Sequence, residues 1–71
     1  MNYKQTSALG SGDLVWSPGK ASELVRILAV STGRVERAGE TPYVVEAVHA
    51  STGEERAYWL PTGDAKWQIH S

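Results

Sequence analysis

The residues with the most chemistry to offer are two histidines, His49 and His70, and six aromatics: Tyr3, Trp16, Tyr43, Tyr58, Trp59 and Trp67. A zinc site built on the histidines would need further ligands at a workable spacing. Nothing around positions 49 and 70 supplies that pattern, so no metal is expected. His49 reads as a solvated strand-end residue beside a turn. Serine, histidine and aspartate all occur, but no serine sits in a nucleophile-elbow sequence. The glycines are dispersed singly at turns and form neither a phosphate loop nor a dinucleotide fingerprint. The expectation is a protein without catalytic residues or a cofactor, and not an enzyme.

The aromatic set points to binding. Three Trp and three Tyr with no Phe means that every ring carries a polar tip, the kind of side chain enriched at half-buried surfaces and interfaces. Tyr58 and Trp59 are adjacent on an expected strand, so they point to opposite faces and at most one lies inside. Trp59 is expected inward with Ala57, and Tyr58 outward between Arg56 and Leu60. Trp16 and Trp67 read mainly as core residues, or else as walls of a groove with Tyr43. The expected partner-binding set is therefore Trp16, Tyr43, Arg56, Tyr58 and Trp67. Aromatic faces converging near Glu46 or Glu55 would suit a cation such as a methylated amine. The same faces near Arg26, Arg56 and Lys66 would suit stacked bases.

These side chains must be positioned by short strands. Thr32-Gly33, Thr52-Gly53, Thr62-Gly63 and Ser17-Pro18-Gly19 cut the chain into runs of about ten residues rich in Val, Ile, Leu, Tyr and Trp, the rhythm of a small all-β fold. Residues 1–11 are polar and end in Gly10-Ser11-Gly12, which reads as a flexible arm. The domain then runs over 12–70. Strands are expected over 13–17, 42–50, 55–60 and 65–69, with a solvated hairpin tip at 34–41 and a tight or 3₁₀ turn at 61–64. The stretch 23–31 reads as a strand buried on both faces. Ser17 as a cap, Pro18 behind it and Gly33 beyond would also suit a helix over 21–31.

A chain of 71 residues is one domain with a thin core. No cysteine is present, so stability must come from packing or from burial against other subunits. Seven Lys plus Arg against eight Asp plus Glu give a net charge of −1, which argues against a non-specific nucleic-acid binder. The first residues show neither a signal-peptide nor an anchor pattern, and no apolar run reaches membrane-span length. A cytoplasmic location is expected.

The order of elements, with a long second connection, a tight hairpin between the third and fourth strands and a Pro- and Gly-containing turn before the fifth, resembles a five-stranded SH3-like barrel. Gly12-Asp13-Leu14-Val15-Trp16 resembles the opening strand of Tudor, PWWP and KOW-type members, which bind methylated peptides or nucleic acid. A PWWP domain continues into an aromatic-Trp-Pro motif. This chain continues with Ser17-Pro18-Gly19, so the methyl-lysine cage is not implied. In size and architecture the chain is also similar to plasmid-type dihydrofolate reductases, whose active pore forms at the centre of a tetramer. Their Val-Gln-Ile-Tyr run before a Pro is replaced by Ala57-Tyr58-Trp59-Leu60-Pro61, so reductase activity is not implied, and what the resemblance leaves is that barrels of this kind can self-associate. The leading expectation is a binding or adaptor module for a protein or peptide. Behind it stand a homo-oligomer with a small-molecule site between subunits, and a Tudor- or KOW-like nucleic-acid binder.

Overall fold

A computed structural model describes residues 2–33 and 41–70. All its regular structure is β apart from one 3₁₀ turn: β1 (Tyr3–Gln5), the turn (Thr6–Ala8), β2 (Leu14–Trp16), β3 (Leu24–Thr32), β4 (Tyr43–His49), β5 (Glu55–Leu60) and β6 (Lys66–Ile69). The strands form one antiparallel sheet in the order β1-β6-β2-β3-β4-β5. Among the described residues β1 and β5 are free edges, so the sheet curls without closing.

Six strands stand where five were expected, because residues 2–9 join the fold instead of forming an arm. Tyr3 lies opposite Gln68 and Gln5 opposite Lys66. The 3₁₀ turn then carries Thr6 and Leu9 into the interior, where both are buried. The physical reason is Trp67, which is fully buried and needs an acceptor for its indole N–H. Thr6 Oγ1 accepts that bond at 2.8 Å, and the Thr6 hydroxyl donates onward to the Ala65 carbonyl at 2.9 Å.

The stretch that also suited a helix is strand β3, and its burial alternates. Val25 and Ile27 are buried while Arg26 is exposed, so the strand is buried on one face and not on both. A bulge between Ile27 and Ala29 leaves Leu28 unpaired and 45% exposed, and such an extra residue bends the strand and adds twist. The inner faces of the strands meet in one cluster of Leu9, Val15, Val25, Ile27, Val45, Ala47 and Trp67, with Val30, Tyr58 and Leu60 packed against it. Of the expected hairpin tip at 34–41, all but Thr41 lies outside the described residues.

Candidate functional site

The face that each β5 side chain presents is decided by the hairpin that leads into it. The Gly53 N–H donates to the His49 carbonyl at 2.9 Å, and the His49 N–H donates to the Glu54 carbonyl at 2.8 Å. Gly53 adopts φ +75°, a conformation that costs other residues strain, and the result is a four-residue loop, 50–53, that ends on this glycine. His49 Nδ1 accepts the N–H groups of Ser51 and Thr52, so this histidine caps the turn. The register that follows sets Val45 opposite Tyr58 and Val44 opposite Trp59. Val45 belongs to the core, so Tyr58 must face inward and Trp59 outward. The expected assignment of these two residues is thereby reversed, and Ala57 is exposed together with Trp59.

The expected binding residues are dispersed among four places. Tyr58 and Trp67 meet edge to face, ring centroids 5.2 Å apart with planes at 90°, and both belong to the interior. Tyr43 begins β4 opposite Thr32 and Leu60, its ring lying over Gly63, where an added Cβ would come within 2.8 Å of Cε1. The Arg56 guanidinium donates from Nε to Glu23 at 2.9 Å and approaches Glu54 at 3.6 Å, and its pKa is raised, chiefly by the bond to Glu23. It is an internal clamp between β5 and the segment before β3. Trp16, half-buried, lies on the outer face, in a row that runs Tyr3, Gln68, Trp16, Leu24 across β1, β6, β2 and β3. These five residues share no common face, and among the described residues no aromatic ring pair other than Tyr58–Trp67 is formed.

What the fold exposes instead is the outer face of β3, β4 and β5. Trp59 is 65% exposed, the largest fraction among the exposed large apolar side chains. Val44 and Ser31 extend its row, Glu46 and Ala29 extend that of Ala57, and Val48 and Arg26 extend that of Glu55. A shallow groove of about 310 Å³ runs over this face, lined by Leu28, Glu46, Ala47, Glu55, Arg56 and Ala57. The carboxylates of Glu46 and Glu55 form no ion pair among the described residues. The surface thus offers an indole, a short apolar floor and two uncompensated negative charges beside a free strand edge.

Sequence reasoning placed Trp59 inside and did not single out Leu28. The signal that could have found Trp59 is arithmetical, since a hairpin pairing 49 with 54 must pair 45 with 58. A smaller pocket of about 180 Å³ lies between Lys4, Gly12, Asp13, Leu14, Val15, Ile69 and His70. Its charges are already matched: the Asp13 carboxylate accepts the Gly10 N–H at 2.8 Å and Lys4 Nζ at 3.0 Å. Those two bonds hold its pKa below the usual carboxylate value, the backbone N–H contributing most. Among the described residues no group of three or more potential metal ligands is gathered in one place, and no helix is long and apolar enough to cross a membrane. No protein-family model and no curated protein matches this chain in sequence.

Proposed function

We propose that this chain is a non-catalytic binding module that holds a protein or peptide segment on the outer face of β3, β4 and β5, with Trp59 as its anchor. The observation that carries the reading is Trp59 itself, a 65% exposed indole on a strand whose other bulky residues turn inward. A large exposed ring of this kind costs solvation in the free protein and is the residue type that dominates binding energy when covered. The scaffold is read as an SH3-like barrel extended by one N-terminal strand. The run β6-β2-β3-β4-β5 supports that reading, because it returns the last strand to the side of the first strand of the 12–70 unit.

The test is a peptide-display selection against the purified chain, repeated with Trp59→Ala. Because Trp59 is mostly exposed, the substitution is expected to change stability by less than about 1 kcal/mol in urea unfolding. Peptides enriched by the parent are expected to lose binding to the variant. Equal binding to both proteins would remove Trp59, and with it this face, from the function.

A further inference from the structure

Resting on the binding-module reading, we infer that the occupant of this face is an extended basic segment that adds to the free edge of β5 as a further antiparallel strand. Glu54 pairs with His49 through a close hydrogen bond at the hairpin. Along an antiparallel ladder, hydrogen-bonded and non-hydrogen-bonded pairs alternate, so Arg56, Tyr58 and Leu60 direct their backbone groups toward β4. Glu55, Ala57 and Trp59 direct theirs outward. The β4–β5 ladder runs from Tyr43↔Leu60 to Val48↔Glu55 without a register shift. No bulge or proline blunts the six residues of β5, as one or the other usually does on a protected edge. Among the described residues an incoming strand would find the N–H and C=O groups of Ala57 and Trp59 and the N–H of Glu55 free, the Glu55 carbonyl already accepting Arg56 Nη1 at 3.2 Å, with the three side chains on one face.

The side chains required opposite those three residues follow from what is already there. Across from Trp59 an apolar or aromatic residue gains the most, because cross-strand pairs of this kind stabilise a sheet. Across from Ala57 there is room for a long side chain. Behind Ala57 lie the groove, its Leu28 wall and Glu46, which sits directly opposite Ala57 on β4. A lysine or arginine stem would lie along Leu28 and Ala57 with its charged head at Glu46. Across from Glu55 a second basic residue is complementary. Antiparallel pairing is the more stable arrangement per residue and fixes the order along the partner: an apolar residue first, then basic residues two and four positions later. The interaction is a strand addition in which the backbone supplies affinity and alternate side chains supply selectivity.

The experiment is calorimetric titration of the full chain with three synthetic peptides. The first is Ser-Tyr-Thr-Arg-Thr-Lys-Ser. The second carries Glu in place of Arg and Lys, and the third has the composition of the first with Tyr, Arg and Lys at consecutive positions, so that they cannot all face one side of an added strand. The first is expected to bind about tenfold or more tighter than the other two and to weaken with added salt. Glu46→Lys should remove the preference for the basic peptide, and Trp59→Ala should remove binding. Equal binding of the basic and acidic peptides, lost in Trp59→Ala, would overturn the basic-partner inference while leaving the binding-module reading intact. Absence of peptide binding, together with a dimer in sedimentation equilibrium that Trp59→Ala dissociates, would make the occupant a second copy of this chain and overturn the inference. A monomer that binds none of the peptides would overturn the inference and count against the broader reading as well.

Discussion

Tyr58 shows how one side chain can be placed correctly for packing and poorly for hydrogen bonding. Its ring stands edge-on to Trp67 at 5.2 Å, yet its buried hydroxyl has no hydrogen-bond partner among the described residues. A buried polar group left unmatched costs about 1–3 kcal/mol, while the ring itself contributes as a core aromatic. The two parts of the residue can be separated by substitution. Tyr58→Phe is expected to leave stability unchanged or raise it by roughly 1 kcal/mol, and Tyr58→Ala to lower it by about 3 kcal/mol or more, both read from urea midpoints at constant slope. At this scale the sequence was half legible. Six rings with polar tips said that some would be core and some surface. Which of Tyr58 and Trp59 went inside depended on a register that residue type does not carry.

At the scale of elements, the strands were legible from turn punctuation, but the reasons for the punctuation were not. The three Thr-Gly pairs look alike in sequence and do different things. Gly53 supplies a positive φ of 75°, whereas Gly63 supplies space, since a Cβ there would crowd Tyr43 and Ser7. The element the sequence concealed is β1, a three-residue strand in a polar stretch with no apolar alternation to announce it. Its anchorage is tertiary, through the Thr6–Trp67 hydrogen bond and pairing with β6, and neither partner is near in sequence. Thr6→Val keeps the shape and removes the acceptor, stranding the buried indole N–H. A loss of about 1–3 kcal/mol is expected, whereas Ser7→Ala, at an exposed position of the same turn, should change stability by less than about 0.5 kcal/mol. Chemical denaturation of the two variants side by side tests whether the N-terminal segment belongs to the cooperative unit.

For the molecule as a whole, the same segment links stability to pH. Lys4 of β1 meets Asp13, just before β2, at 3.0 Å, and Asp13 also accepts the Gly10 N–H. The folded-state pKa of Asp13 is lowered relative to an unfolded value of about 3.9. A depressed carboxylate contributes stability that is fully present above its unfolded pKa and is lost as pH falls through the folded one. Thermal midpoints measured from pH 7 down to pH 2 should therefore fall more steeply below about pH 4 for the parent than for Asp13→Asn. Parallel curves would assign the acid sensitivity to other carboxylates.

The three tryptophans occupy three different settings: Trp67 wholly enclosed, Trp16 half covered and Trp59 mostly in solvent. The domain therefore carries a built-in optical partition. A small aqueous quencher such as iodide reaches Trp59 first and Trp67 last, so loss of quenching reports occupation of the β5 face, while new quenching of the enclosed indole reports opening of the core. Binding and unfolding, which in a chain this small would otherwise overlap in any single bulk signal, leave opposite marks on the same emission band.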